Sequence, residues 1–268
     1  MSRRAEEITD QLTVAYLDWC VHERVPVNTV ARRRATLKSV GNAGDATREE
    51  VEAWWSARAH LKPATRANDL ANLRTFYKWC QRWDHRDDDP TVRLDAPKVP
   101  AGLPRPFTRD QFHQLLTTLE NDMRRAVALG GYGGLRVSEA ATADWGNYDA
   151  EHRRLLVRGK GQKERLITVG PILMDAIGPP GTGNIVTAGE KAYSEDALQR
   201  KVNRAIQRAG VDGTFHQLRH RWITVGLAET GNLLGVSRAA GHASVTTTTR
   251  YAATSDDVLD QISAAAER

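Results

Sequence analysis

The chain has 268 residues, of which 40% are hydrophobic and 26% are charged, so it is long enough for two domains and its composition excludes a disordered chain. Its formal net charge of +5 is compatible with a nucleic-acid partner without requiring one. It has no apolar run near the about 18 residues that span a bilayer and no apolar signal-peptide core, so we expect a cytoplasmic protein with no membrane partner.

The first 97 residues predict a helical module of about four helices. Apolar residues recur at helical spacing from about residue 8, and Pro26 interrupts them before a second helix, for which Asn28 is the expected N-cap. Thr47 and Glu50 form a capping-box pattern that opens a third helix, and a fourth begins near Pro63. This part of the chain is therefore predicted to be all-helical.

Prolines close to residue 100 predict a connector between two domains. Pro90 follows three aspartates and ends the helical module, and four further prolines fall within residues 97–106. Such a stretch cannot hold a helix and, when extended at about 3.1 Å per residue, spans roughly 30 Å. We therefore expect a first domain over residues 1–97, a linker over residues 98–106 and a second domain over residues 107–268.

The second domain opens with helices and a glycine-rich segment. A capping-box pattern at Thr108 and Gln111 begins one helix, and a second, apolar helix follows it. The glycines of residues 130–134 lack the Gly-Lys-Ser/Thr ending and the preceding strand of a nucleotide-binding loop. We interpret them as a tight turn that presents Arg136.

The rest of the second domain is predicted to contain a small sheet and further helices. Short antiparallel strands are expected over residues 142–148, 153–158 and 164–169, with a hairpin tip at residues 159–162. Helices are expected over residues 171–176, 194–209 and from 216 onward, with breaks at Gly231 and Gly241 and a last amphipathic segment over residues 255–266. The fold class is therefore mainly α with a small antiparallel sheet (α+β).

Basic side chains and one late tyrosine form the most informative pattern. His216 and Arg219 are three residues apart, so a helix would point both from one face. The candidate catalytic residues are Arg136, Lys160, His216, Arg219, His242 and Tyr251. No spacing typical of metal ligands accompanies them, so we expect no metal and no cofactor.

Five motifs occur in a fixed order along the chain. They are Gly-Leu-Arg-Val-Ser-Glu at residues 134–139, Gly-Lys-Gly at 159–161, His-Gln-Leu-Arg-His at 216–220, Gly-His at 241–242 and the final tyrosine, Tyr251. With these motifs the chain resembles the tyrosine site-specific recombinases over nearly its whole length. The resemblance implies a helical N-terminal core-binding domain and a C-terminal catalytic domain that together clamp DNA.

The resemblance also implies a role for each candidate catalytic residue. Tyr251 is the expected nucleophile, which forms a 3′-phosphotyrosyl bond, and Lys160 is the expected general acid, with Lys163 as its rival by proximity. Arg136 and Arg219 are the expected phosphate clamps, because an arginine fork grips two oxygens and stays charged.

The histidines and one carboxylate have supporting roles in this scheme. His216 and His242 can donate hydrogen bonds to the phosphate, or one of them can take the proton of the tyrosine. Glu139 is three residues from Arg136 and is expected to hold that guanidinium in place. His220 is expected to pack rather than to act on substrate.

The expected partner is double-stranded DNA at specific sites. Candidate DNA contacts in the first domain are Asn28, Thr29, Arg32, Arg33, Thr65, Arg66 and Arg74, with helix capping and ordinary surface charge as the alternative reading of each. We expect a homotetramer on DNA through exchange of the C-terminal tail, whose apolar stripe is Val258, Leu259 and Ile262. An accessory directionality factor is a further possible partner, and the DNA-bound protein would be associated with the nucleoid.

These patterns leave several functions open. Integration and excision of a phage or mobile element is the main interpretation, and a Xer-type chromosome or plasmid dimer resolvase is the alternative with the same chemistry. A type IB topoisomerase would use the same residue set, and a non-catalytic DNA-binding regulator would keep the fold without needing Tyr251. A metal-dependent nuclease is disfavoured because no carboxylate cluster accompanies the basic residues.

Overall fold

The structure is a computed structural model that describes residues 10–100, 105–159, 164–189 and 191–241. The chain divides into two compact units, Met1–Ala101 and Gly102–Arg268. The boundary between the units lies inside the stretch of residues 98–106, for which a linker is expected. Within the described ranges, no helix is long and apolar enough to cross a membrane.

The first unit is built from helices. They are α1 Gln11–His22, α2 Val27–Val40, α3 Arg48–Ala57 and α4 Pro63–Arg82. The predicted capping box is confirmed, since the hydroxyl of Thr47 accepts from the backbone N–H of Glu50 and the carboxylate of Glu50 accepts from that of Thr47. Pro63 is the first residue of α4. At this position a backbone N–H would have no hydrogen-bond partner within the helix, so proline is tolerated there.

One N-cap prediction in this unit is wrong. Helix α2 begins at Val27, Pro26 holds the N-cap position, and Asn28 lies in the first turn as an exposed residue. The proline ring fixes the φ angle of Pro26 near the value that leads into a helix, so its carbonyl oxygen can accept from Thr29 N and Val30 N without a side-chain cap.

The core of the first unit is aromatic. Tyr16 and Phe76 are fully buried, and their ring centroids lie 5.3 Å apart in an edge-on arrangement. The hydroxyl of Tyr77 donates to the carbonyl oxygen of Ala43 at 3.0 Å, which fixes the loop between α2 and α3 to α4. Burying each such ring stabilises the fold by about 1.5–3 kcal/mol, so these contacts hold the helices together.

The second unit combines helices with two small antiparallel sheets. Its helices are α5 Arg109–Thr118, α6 Asn121–Tyr132, α7 Val137–Thr142, α8 Pro171–Ile177, α9 Glu195–Arg208, α10 Phe215–Thr230 and α11 Leu233–Ala240. Strands β1 Tyr148–Asp149, β2 Arg154–Arg158 and β3 Glu164–Thr168 form one sheet, and β4 Thr187–Ala188 pairs with β5 Lys191–Ala192. The expected fold class, mainly α with a small antiparallel sheet, is confirmed.

The strand expected over residues 142–148 is wrong. Helix α7 runs through Thr142, a 3-10 turn covers Trp145–Asn147, and only Tyr148–Asp149 pairs as a strand. The side chain of Asp144 accepts from Gly146 N at 2.8 Å and thereby stabilises the turn. A local hydrogen bond of this kind competes with sheet pairing, and the alternation of apolar residues did not reveal it.

The glycine-rich segment is a turn only at its end. Gly130 and Gly131 belong to α6, and a Cβ atom on Gly131 would lie 2.2 Å from the ring of Phe112 in α5. The turn itself falls at Gly133 and at Gly134, whose φ is +66°. The first glycines of the segment therefore let neighbouring elements approach α6, and the last one turns the chain toward Arg136.

Helix α6 is the centre of the second unit. It is buried along Ala126, Val127, Ala128 and Leu129, and it packs against α5, α8 and α10. The start of α10, the start of α7 and the end of α11 all lie near the end of α6. This arrangement brings residues from distant parts of the chain to one place.

Candidate active site

Glu139 lies at the centre of the candidate site as a fully buried carboxylate. Its Oε2 accepts a hydrogen bond from the backbone N–H of Arg136 at 2.7 Å, which closes a capping box at the start of α7. Its Oε1 accepts from Nη1 of Arg136 at 2.8 Å and from Nη1 of Arg165 at 2.7 Å. Two guanidinium groups from different parts of the chain therefore share one carboxylate oxygen.

The two arginines keep the buried carboxyl ionised. Burial by itself would raise the pKa of Glu139, but the hydrogen bond from Arg165, the backbone hydrogen bond from Arg136 and the charges of both arginines lower it below its ordinary value. The carboxylate is therefore charged at neutral pH and holds both guanidinium groups.

Arg219 lies in the first turns of α10 and is only 2% exposed. Its Nη1 donates to the carbonyl oxygen of Gly134, and its Nη2 donates to that of Ala240 at the end of α11. Nη2 of Arg136 donates to the next carbonyl oxygen, that of Gly241, at 3.1 Å. The turn before α7 and the C-terminal end of α11 therefore position both arginines.

His216 is the second residue of α10 and interacts electrostatically with the same arginines. Thr214 and Gln217 form a capping box at this helix start, so His216 lies in the first turn, one turn before Arg219. Part of its side chain is exposed, yet neighbouring atoms partly desolvate the ring. This desolvation, together with the positive charges of Arg219 and Arg136, lowers the pKa of His216. The imidazole is therefore neutral at pH 7.

His220 packs against the ring of His216, with the ring centroids 4.2 Å apart in an edge-on arrangement. It lies one turn further along α10 and is half-buried. This contact restricts the orientation of the His216 ring.

The arrangement can bind an anion at Arg136. The side chain of Arg136 is 35% exposed, whereas those of Arg165 and Glu139 behind it are 11% and 0% exposed. A guanidinium held from one side by a carboxylate and a carbonyl presents its remaining edge to solvent in a fixed orientation, and such an edge fits two oxygens of a phosphate.

The structure thus brings together four of the residues that the sequence suggests, namely Arg136, Glu139, His216 and Arg219. Lys160, His242 and Tyr251 lie outside the described residues. Their chain neighbours Gly159 and Gly241 are described, and the carbonyl of Gly241 belongs to the arginine network.

Arg165 is the residue of this network to which the sequence analysis gave no role. It lies on β3, where the alternating inward positions are Arg165 and Ile167, and where Arg165 pairs with the buried Val157 of β2. A charged residue in the inward register of a strand is unusual, because a buried charge is costly unless it is paired. That alternation is the signal that could have identified it.

In the first unit, the candidate DNA contacts differ in how exposed their side chains are. Asn28, Arg32 and Thr65 are exposed, and Thr29 is half-buried. Arg32 lies on α2 and Thr65 lies in the first turn of α4. These exposed positions suit contact with a ligand.

The other three candidate contacts, Arg33, Arg66 and Arg74, are less exposed and make contacts within the unit. Nη1 of Arg33 lies 3.2 Å from Sγ of Cys20, and a guanidinium–ring stack places Arg66 4.1 Å from the centroid of Trp55. Arg74 donates to the carbonyl oxygen of Leu94. To bind DNA, these side chains would have to contact the DNA in addition to their partners within the unit, or in place of them.

Among the residues that the structure describes, no group of three or more His, Cys, Asp or Glu side chains could hold a metal ion.

Comparison with known proteins identifies relatives of this chain. The model of the phage integrase family matches residues 105–257. Tyrosine recombinase XerD of Xanthomonas campestris pv. campestris is 31% identical over 225 residues, which are 74% of this chain and 70% of that protein. Tyrosine recombinase XerC of Escherichia coli O1:K1 / APEC is 30% identical over 213 residues, or 73% of this chain and 72% of that protein.

A solved structure shares the fold at lower identity. The crystal structure of a lambda integrase dimer bound to a COC′ core site superimposes with a TM-score of 0.72 at 16% identity, over 91% of this chain and 76% of that one. At this identity the likeness concerns the fold alone.

Proposed function

Because this chain belongs to the phage integrase family and is a tyrosine site-specific recombinase, we propose that it cleaves and rejoins DNA through Tyr251 in the pocket of Arg136, Arg219 and His216. The observation that carries this proposal is the convergence of Arg136 and Arg219 on consecutive carbonyl groups, those of Gly241 and Ala240. The convergence fixes two cations beside the segment that leads to the tyrosine.

In the cleavage step, the phenolic oxygen of Tyr251 attacks the phosphorus atom of a phosphodiester. A new P–O bond forms to the tyrosine and the bond from phosphorus to the 5′ oxygen breaks, which leaves a 3′-phosphotyrosyl bond and a free 5′-hydroxyl. Arg136 and Arg219 stabilise the negative charge that builds up on the non-bridging oxygens. Attack by a second 5′-hydroxyl reverses the step, so neither ATP nor a metal is consumed.

Two proton transfers accompany cleavage. The phenol loses a proton as it attacks, and the neutral imidazole of His216, whose pKa is lowered, can accept it. Lys160 gives a proton to the departing 5′ oxygen. In this scheme His242 donates a hydrogen bond to the phosphate, and Glu139 keeps the guanidinium of Arg136 aimed at it.

Both units bind DNA in this proposal. The exposed Asn28, Arg32 and Thr65 contact the phosphate backbone directly, while Arg66 and Arg33 contribute charge from positions that they also hold within the unit.

The active assembly is a tetramer joined by exchange of C-terminal tails. The apolar stripe of the tail, Val258, Leu259 and Ile262, lies outside the described residues. A groove of about 520 Å³ between α6, α10 and α11 supports this part of the proposal, since it is lined by apolar groups including Trp222 and Val225. An apolar stripe from a neighbouring protomer fits such a groove.

Two biological roles use this chemistry. Integration and excision of a phage or mobile element is the first, in keeping with the family whose model matches the chain. Resolution of chromosome or plasmid dimers is the second, and it is favoured by relatives at 30 to 31% identity that are Xer recombinases. The two roles differ in their substrates, because dimer resolution joins two copies of one site whereas integration joins two unlike sites. Recombination assays on plasmids that carry one or the other pair of sites therefore distinguish them.

The experiment that tests the proposed function is a suicide-substrate assay in EDTA over a library of nicked duplex sites. We expect the wild-type protein to form a covalent protein–DNA adduct and the Tyr251→Phe variant to form none while binding the same DNA. Loss of the adduct in EDTA would point to metal-dependent chemistry, and an adduct in Tyr251→Phe would remove the assigned nucleophile. Relaxation of supercoils by a monomer without two-site recombination would favour a type IB topoisomerase.

A further inference from the structure

Arg165 occupies an inward position of an otherwise apolar hairpin face. Its side chain is 11% exposed, and its neighbours in the inward register, Leu155, Val157 and Ile167, are buried. An arginine at such a position costs free energy unless its charge is paired. Its Nη1 lies 2.7 Å from Oε1 of Glu139, which is that partner.

Arg165 and Arg136 approach Glu139 with different exposures. Both donate to the same oxygen, but the side chain of Arg136 is 35% exposed and that of Arg165 only 11%. Arg165 also donates to the carbonyl oxygen of Gly134 at 3.3 Å, the carbonyl that Arg219 binds. Arg165 thus contacts the acceptors of both clamp arginines from the buried side.

We propose that Arg165 is a positioning residue of the recombinase, which balances the charge of Glu139 from behind so that the charge of Arg136 acts on the substrate phosphate. It also fixes strand β3 to the carboxylate that orients Arg136. The inference rests on the proposed function, because the clamp role of Arg136 belongs to that proposal.

The electrostatic reason follows from the shared oxygen. A buried carboxylate with one guanidinium forms a pair with no net charge, and the field of that guanidinium on a nearby phosphate is largely cancelled. A second guanidinium on the same carboxylate leaves the triad with a net positive charge. Because Glu139 and Arg165 are largely shielded from water, solvent screens this difference less than it would at an exposed triad, and the difference acts on a phosphate in contact with Arg136.

The variants Arg165→Gln and Arg165→Lys test this role. Arg165→Gln removes the charge, whereas Arg165→Lys keeps it and loses the two-donor fork. The matched control is Arg154→Gln, which removes an exposed arginine that binds Thr168 on the outer face of the same hairpin. Thermal midpoints of all variants show which of them are folded at the assay temperature.

In single-turnover cleavage of the suicide substrate, we expect Arg165→Gln to be about 10- to 100-fold slower than wild type. Losses of this size are typical when a group that orients a metal ligand is removed, and Arg165 orients Arg136 in a comparable way. Arg165→Lys should recover part of that loss, and Arg154→Gln should match wild type. The dissociation constant for DNA should change less than the cleavage rate. A rate for Arg165→Gln equal to that of wild type would overturn the inference.

A double-mutant cycle tests the route through Glu139. If Arg165 acts by balancing Glu139, Arg165→Gln should slow cleavage less in a Glu139→Gln background than in the wild type. Equal losses in both backgrounds would show that Arg165 acts by another route.

A spectroscopic measurement separates this inference from the proposed function. The ¹³C carboxyl signal of Glu139, identified by its absence from Glu139→Gln, should titrate at higher pH in Arg165→Gln than in wild type, with or without DNA. An unchanged titration would overturn the charge-balancing role. If wild-type protein formed no DNA adduct, the proposed function would fail while the titration still decided whether Arg165 controls Glu139.

Discussion

Arg136 and Arg219 donate hydrogen bonds to the consecutive carbonyl groups of Gly241 and Ala240 at the end of α11. Arg136 is the N-cap residue of α7 and Arg219 lies in α10, so neither position in the sequence indicates that they share an anchor. The orientation of both guanidinium groups therefore depends on the C-terminal end of a short helix, immediately before the segment that leads to Tyr251.

Replacement of Arg219 by lysine should inactivate the enzyme although it keeps the charge. A single ammonium group cannot reach the carbonyls of Gly134 and Ala240 from one fixed position and also present a fork to a phosphate. We expect single-turnover cleavage to fall by about 100-fold or more, as for the loss of a donor to a transition-state oxyanion. Arg208→Lys, an exposed change at the end of α9, is the control and should cleave at the wild-type rate.

Gly134→Ala should destabilise the second unit and slow cleavage. The φ angle of Gly134 is +66°, and a Cβ atom there would lie 2.6 Å from Cδ2 of Trp222. Strain and overpacking together should lower the free energy of unfolding by about 2–4 kcal/mol. Gly183→Ala separates the two effects, because its φ is +72° but its Cβ would meet nothing within 4 Å.

For Gly183→Ala we expect only the cost of a left-handed alanine, about 1–2 kcal/mol, in urea unfolding at pH 7. Equal destabilisation by the two alanine substitutions would contradict the close approach of Trp222. Cleavage should slow only in Gly134→Ala, because the carbonyl of Gly134 accepts from Arg219 and Arg165.

The contribution of Glu139 to stability should depend on pH in a defined direction. Its folded-state pKa is lowered by the hydrogen bonds from Arg165 and Arg136, which outweigh the effect of burial. A carboxyl group with a lowered folded pKa contributes stability that is fully present above its unfolded pKa of about 4.3 and is lost as the pH falls through the folded value. Urea unfolding of wild type and Glu139→Gln should therefore differ most at neutral pH.

As the pH decreases below about 4.3, the difference between wild type and Glu139→Gln should shrink. The exposed Glu229→Gln is the control and should change the unfolding free energy by less than about 0.5 kcal/mol. A difference for Glu139→Gln that stayed constant to pH 3 would contradict a carboxylate held charged by two arginines.

The apolar groove should be needed for assembly rather than for binding to a single site. Val225 is 42% exposed and lines the groove between α6, α10 and α11. Val225→Asp should weaken two-site recombination as strongly as deletion of residues 256–268, because a charge in the groove opposes an apolar tail. Binding to one site, measured by mobility shift, should change less than recombination in both variants.

Ile172→Asp provides the matched control for the groove. Ile172 is 65% exposed on α8 and does not line the groove, so its replacement should leave recombination unchanged. If Val225→Asp recombined normally while the tail deletion did not, the tail would dock elsewhere.

Two helix starts, those of α3 and α5, could be predicted because their signals are local, whereas the N-cap of α2 was predicted wrongly. The two predicted capping boxes, at Thr47 with Glu50 and at Thr108 with Gln111, are found in the structure as the sequence indicates. The spacing of three residues between Arg136 and Glu139 likewise places their side chains within reach, and the structure has them 2.8 Å apart.

The features that sequence reasoning missed depend on tertiary contacts. Gly130 and Gly131 resemble a turn in the sequence, but they are helical because α6 needs small residues where Phe112 and Phe215 approach. Arg165 contacts Glu139 only because β3 packs beside the start of α7, and no local sequence pattern predicts that packing. The alternation of inward and outward residues along β3 was the available signal. It indicates that Arg165 is an unusual inward charge, but it does not predict that Glu139 is its partner.

The most direct test of the central claim is to map the covalent adduct. Wild-type protein trapped on a suicide substrate is digested with nuclease and trypsin, and the modified peptide is sequenced by mass spectrometry. We predict a nucleotide 3′-phosphate on Tyr251, with adduct formation reduced at least about 100-fold in Arg136→Ala and Arg219→Ala. A phosphate on any other residue would contradict the claim that Tyr251 is the nucleophile. Adduct formation at the wild-type rate in both arginine variants would contradict the claim that the tyrosine reacts beside these arginines.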